Sequence, residues 1–378
     1  MKVLQFLQVM VERGASDLFF STGAPVNVKI EGITHPLTMP ALPPGEVKHM
    51  AYQLMNPTQV AQFEVDQEMN LAISFDELGR FRINVFMQRG ETGMVIRYIK
   101  SNIPAIATLD LPATLERLVM LNRGLVLVVG AAGSGKSTTL DSMLDYRNQN
   151  ATGHILTIED PLEFIHAHKR SVVDQREVGI DTKSYADALK NALREAPDVI
   201  MIGEIRDRAT MQQAIAYSET GHLCLSTLHA SNANQAMERI INFFPDDAHH
   251  QLLTDLSLHL EGVIAQRLIP GQKQKLVLAC ELLLSSSFIS ELIAKGDIGG
   301  IKEAMAGSNE MGMFTFDQSL YNLYMDGKIS LDEAMLNADS RTDLSLRVRL
   351  STTVKHEAPP DMALEPPPPG GIPVWAHK

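Results

Sequence analysis

Two cysteines in 378 residues are too few for a disulfide framework. Cys224 and Cys280 both stand inside apolar runs, which fits buried free thiols in a reducing compartment. No apolar run approaches the roughly 20 residues that a membrane-spanning helix needs. Basic residues are short as well: 33 Lys and Arg against 45 Asp and Glu leave a net charge of −12. That balance argues against nucleic acid as the main partner. No internal repeat is visible, and no Asn-Lys-x-Asp occurs to support guanine specificity. The apolar stretch from Met1 to Arg13 has helical spacing and runs on to Asp17 with no small-residue cleavage site, so it reads as an amphipathic helix and not a signal peptide. The expectation is a cytoplasmic protein, with any membrane association made through a partner. Length and an apolar content of 45% allow two domains, each with its own core.

What is present is organised around Gly130-Ala131-Ala132-Gly133-Ser134-Gly135-Lys136-Ser137-Thr138-Thr139. This stretch fits G-x-x-x-x-G-K-[ST] at every fixed position. Leu125 to Val129 before it is wholly apolar, as in a buried parallel strand, and Lys136 to Arg147 after it has helical spacing. Strand, glycine loop and helix together turn backbone N–H groups and a helix N-terminus toward a phosphate. Lys136 is expected to reach the β- and γ-phosphates of ATP and the Ser137 hydroxyl to hold Mg²⁺. Without nucleotide, Lys136 is expected to pack against nothing.

Residues 1–100 read as a mixed α+β module. Strands are expected at 18–20 and 26–30, helices at 43–55 and 57–65, and a hairpin of 80–86 with 94–99 across Gly90-Glu91-Thr92-Gly93. Residues 101–112, with two prolines and little pattern, read as a linker. From 113 to 350 strand and helix alternate, which implies a parallel sheet clad by helices. Its strands are expected at 125–129, 155–159, 171–174, 198–203 and 222–227. A mainly helical part follows from about 250, with one apolar strand, 276–284. Residues 351–378 contain Pro359-Pro360 and Pro366 to Pro369 and read as a disordered, partly polyproline tail.

Ligands of open α/β sheets sit at the carboxyl ends of strands. Glu159-Asp160-Pro161-Leu162-Glu163 follows one expected strand end, and Gly203-Glu204 follows another, so these acids can hold the Mg²⁺ shell or polarise water. A solvated acidic surface is the plainer alternative. His222, Cys224 and His229 raise a zinc site, but no second ligand pair accompanies them; phosphate sensing by His229 is favoured. His166, His168, His249 and His250 receive no role. Arg82, Arg97, Arg176, Arg194, Arg206 and Arg208 are candidates to clamp a γ-phosphate. Arg97 lies in an apolar strand where an unpaired charge is costly, so it and Arg82 are expected to seek an anion.

In order and separation, Gly130–Thr139, Ile155–Phe164, Gln175–Gly179, Asp198–Asp207 and Glu219–His229 resemble the motor ATPases of secretion systems and type IV pili. The likeness is to the retraction (twitching motility) group, the PilT/PilU family. It implies a RecA-like P-loop ATPase core with an N-terminal PAS-like α+β domain and a helical C-terminal region, assembled as a hexamer. By motif position it implies Glu163 as general base and Glu204 as the Walker B acid, reaching Mg²⁺ through water. It implies His229 as γ-phosphate sensor, with Arg82 and Arg97 as clamps from a neighbouring subunit. Implied partners are a sister retraction ATPase and an inner-membrane pilus platform protein, without nucleic acid. Retraction ATPases of the PilT type carry Ala-Ile-Arg-Asn-Leu where this chain has Phe288-Ile289-Ser290-Glu291-Leu292. Lacking that arginine, and with its proline tail, the sequence is closer to the accessory PilU branch. A mainly structural partner with weak turnover is the alternative to a motor.

Overall fold

The computed structural model describes residues 2–308 and 311–354, so most of the Pro-rich stretch lies outside the described residues. Two sheets organise the chain, each with its own apolar core.

The first sheet is antiparallel, in the order β3-β2-β1-β6-β5-β4. Its strands are β1 (Asp17–Phe20), β2 (Asn27–Ile30), β3 (Ile33–Pro36), β4 (Glu68–Phe75), β5 (Gly79–Gln88) and β6 (Glu91–Ile99). The helices Lys2–Glu12, Glu46–Tyr52 and Pro57–Asp66 accompany it. Phe81, Ile83 and Val85 of β5 are fully buried beside Met94 and Ile96 of β6. Strand alternation therefore sends Arg80, Arg82 and Asn84 to the other face. The β5–β6 hairpin is tighter than expected. Gln88 pairs with Glu91, leaving Arg89 and Gly90 as the turn, both at positive φ. Strands β3 and β4 add to the expected set.

The second sheet runs β13-β12-β7-β11-β10-β8-β9. The strands are β7 (Gly124–Gly130), β8 (Gly153–Glu159), β9 (Ser171–Glu177), β10 (Val199–Ile202), β11 (Leu223–Leu228), β12 (Leu260–Pro270) and β13 (Leu276–Leu284). From β12 to β9 the pairings are parallel, and β13 closes the other edge antiparallel to β12. Strand β12 corrects the expectation of helix in this region. β7 is buried at every position, as a strand covered on both faces must be.

The segment between the sheets is tied down. Ile106 is buried in the second core, and the Ile165 N–H donates to the Lys100 carbonyl at 3.0 Å. The last described helix, Arg341–Val354, passes position 350 by four residues.

Candidate nucleotide site

The glycine loop leaves the end of β7 and enters the helix Lys136–Asn150. Gly130 is fixed by close approach: a Cβ there would lie 2.3 Å from Ser134 Oγ and 2.6 Å from the Gln266 carbonyl. Gly135, the N-cap, sits at φ +91°, in the left-handed region. Ala132, Gly133 and Ser137 are exposed and line the pocket, Ala131 is exposed beside them in the chain, Thr138 is half-buried, and Ser134 is buried with its hydroxyl lacking a partner.

Lys136 departs from expectation. It is buried, and its ammonium donates to the carbonyls of Gly130 at 3.0 Å and Ala131 at 2.9 Å. Burial pulls its pKa down, against the pull of the Glu204 charge. The lysine therefore braces the loop that it is read as serving.

The neighbouring strand ends converge on the same pocket, whose lining includes Lys136, Ser137, Glu163, Glu204 and His229. His229 links two of them: its Nδ1 lies 3.4 Å from Lys136 Nζ and its Nε2 lies 3.2 Å from Glu204 Oε1. The other oxygen of Glu204 accepts from Arg206 Nε at 2.8 Å, and Arg206 also reaches Asp160 at 3.4 Å. Of the six arginines singled out, Arg206 joins the acids of this pocket. Arg176 pairs with Glu195, Arg194 bonds Asn191, and Arg208 lies over the Phe244 ring.

Glu159, Asp160 and Glu163 do not act as one group. Glu163 is exposed toward the pocket, between the buried Leu162 and Phe164. Glu159 is buried and accepts from Thr157 Oγ1 at 2.7 Å. Burial, and then the charge of Asp141, push its carboxyl up to about 8. Asp141, Tyr185 and Thr227 also line the pocket and carried no sequence signal of their own. The oxygen-only set of Ser137, Glu204 and Asp160 suits Mg²⁺, which takes few protein ligands and keeps water and phosphate oxygens. Among the described residues no three His, Cys, Asp or Glu side chains form a metal cluster. The buried Cys224 thiol is pushed well up by burial, away from the thiolate that zinc requires.

Arg82 and Arg97 already face anions of their own chain. Arg97 Nε donates to Asp17 Oδ1 at 2.8 Å, so the unpaired charge expected in β6 is paired across the sheet. Arg82 Nε and an Arg80 nitrogen lie 3.7 and 3.8 Å from the buried carboxylate of Glu177, at the end of β9. Those oxygens have no hydrogen-bond partner. The first sheet thus touches the second through charge. Arg97 stays more than half exposed.

A largely parallel sheet, a phosphate loop after the interior strand β7 and acids at the ends of β8 and β10 define a RecA-like P-loop ATPase. The chain belongs to the type II/IV secretion system protein family, whose profile matches residues 2–313. It is 49% identical over 355 residues to the type IV pilus ATPase PilU of Pseudomonas aeruginosa, covering 93% of this chain and 92% of that one. To the retraction ATPase PilT of the same organism it is 37% identical over 334 residues, 88% and 97% of the two chains. The crystal structure of the pilus retraction motor PilT with bound ADP superposes with a TM-score of 0.86. That likeness is at 41% identity, over 92% of this chain and 99% of that one. The higher identity to PilU agrees with the reading of Phe288–Leu292.

Proposed function

We propose that this chain is an ATP-hydrolysing motor that powers or assists retraction of type IV pili. It works as a hexameric ring at the cytoplasmic face of the inner membrane, held there by a pilus platform protein. A sister retraction ATPase is its working partner. The observation that carries the reading is the meeting of Lys136, Ser137, Glu163, Glu204 and His229 in one pocket.

In this mechanism Gly130 to Thr138 wrap the phosphates with backbone N–H groups. The Lys136 ammonium exchanges its two loop carbonyls for β- and γ-phosphate oxygens. Ser137 and Glu204 would hold Mg²⁺, Glu204 through water, and the ion would supply charge neutralisation to the phosphates. Glu163 takes the proton of the attacking water as general base. His229, placed between Lys136 and Glu204, senses whether the γ-phosphate is present. Arg82 and Arg97 supply positive charge from the adjacent subunit, which ties turnover to the relative position of subunits.

The test is steady-state hydrolysis by the purified chain, with Glu163→Gln beside it. The expected outcome is turnover by the parent, and nucleotide affinity retained in the variant with a rate lower by about 10²–10⁴, the usual contribution of a positioned general base. A parent that binds ATP but turns it over negligibly would favour the structural-partner reading, which the missing arginine at Ser290 motivates. A variant at the parent rate would remove Glu163 from the mechanism.

A further inference from the structure

The segment between β8 and β9 carries Glu163 without regular secondary structure of its own. An exposed carboxylate on such a segment is useful only if something fixes the backbone beneath it. Three side chains do so. Leu162, Phe164 and His166 alternate inward around the outward Glu163 and Ile165. At the inner position His166 Nε2 lies 2.9 Å from Asp141 Oδ1, with both side chains at most 1% exposed. Gln175 on β9 completes the clamp. Its Oε1 accepts the His166 N–H at 2.8 Å, and its Nε2 donates to the Phe164 carbonyl at 3.0 Å.

Asp141 stands on the phosphate-loop helix, one turn after Ser137. Asp145 and Asn148 continue that helix face and hold the same segment. Lys169 Nζ donates to Asp145 at 2.5 Å, and Asn148 donates to the Ala167 carbonyl at 2.7 Å. The helix that begins with Lys136 is therefore zipped, over about two turns, to the segment that presents Glu163. Burial pushes the Asp141 carboxyl up and the His166 imidazole down, so each favours its uncharged form and the pair needs no further counter-ion.

We propose that Asp141, His166 and Gln175 are positioning residues that hold Glu163 at a fixed distance from the phosphate loop. This rests on the reading of Glu163 as the base. A displacement of about 1 Å at a catalytic group can cost about 10²-fold in rate. Gln175→Ala and Asp141→Leu should therefore lower kcat about 10- to 100-fold while the KM for ATP stays within about twofold. Asp141→Asn, which keeps a polar partner for the imidazole, should stay within about threefold of the parent.

The experiment measures steady-state and single-turnover ATP hydrolysis in the full chain for these variants, alone and combined with Glu163→Gln, after confirming folding by thermal melting. If the three residues act through Glu163, Gln175→Ala has almost no further effect once Glu163 is glutamine. An equal fold loss in both backgrounds overturns the proposal, as does Gln175→Ala hydrolysing at the parent rate. Should Asp141→Leu not fold, Gln175→Ala and Asp141→Asn still decide the matter. Parent-rate hydrolysis by Glu163→Gln alone would instead refute the base assignment, a separate failure visible before any combination is made.

Discussion

Replacing Lys136 by alanine should do two things that are measured in one instrument. Without nucleotide, the variant loses both loop bonds of the ammonium, at 3.0 and 2.9 Å. Hydrogen bonds from a charged group contribute about 1.5–3 kcal/mol each. Two offsets apply: Ala131 is exposed, so its carbonyl regains water, and the desolvation of the ammonium is relieved. The net loss is then roughly 1–2 kcal/mol, or about 2–8 °C in Tm for a domain of this size. With nucleotide the effect is larger. At a ligand concentration about 100 times Kd the parent gains about 2.7 kcal/mol, which the variant should forfeit. Scanning fluorimetry with and without a non-hydrolysable ATP analogue reads both numbers. An unchanged melting point without nucleotide would show that the loop bonds contribute nothing. A full analogue-induced shift in the variant would show that Lys136 does not hold the phosphates.

Glu159 sets a pH dependence. Its carboxyl titrates near 8 in the fold against the usual 4.5, so between those values the folded state holds a proton that the unfolded chain has lost. Stability from this group is complete below about pH 4.5 and is lost as pH rises through 8, at up to about 1.4 kcal/mol per pH unit. Melting curves should show Glu159→Gln gaining on the parent from pH 6 to pH 8.5; parallel curves would refute the shift. The shared-site reading is tested by mixing Arg97→Ala with Lys136→Ala chains, each expected to be inactive alone. Recovered hydrolysis in mixed assemblies means that the arginine acts across subunits, and none, with mixing verified, means that it does not.

What the sequence discloses depends on how local the cause is. The phosphate loop, β7 before it and the helix after it were legible, because a buried parallel strand and a glycine loop are written in contiguous residues. β12 was not, since the apolar run Val263-Ile264-Ala265 serves helix and buried strand equally well. β3 gives no signal at all: its four residues are all exposed and end in proline. β4, by contrast, carries Met69, Leu71, Ile73 and Phe75 in alternation and could have been found. The site divides the same way. Lys136, Ser137, Glu163, Glu204 and His229 follow from motif position, yet their network needs side-chain geometry. Arg97 finds Asp17 eighty residues earlier in the chain, and His166 finds Asp141 across a strand. Pairings of that kind exist only in three dimensions, so His166 looked like loop decoration and Arg97 like a charge in search of a ligand.

The order of strands in the second sheet has a consequence for biosynthesis. β7, which delivers the phosphate loop, is flanked by β11 and β12, strands that begin at Leu223 and Leu260. A growing chain therefore makes its nucleotide loop early and cannot seat it until more than a hundred further residues have left the ribosome. Until β11 is made both hydrogen-bonding edges of β7 are bare, the β12 edge stays bare for longer, and the Gln266 carbonyl that crowds Gly130 does not yet exist. The ability to bind ATP thus comes late in synthesis, well after the first sheet, which closes entirely within its own first hundred residues.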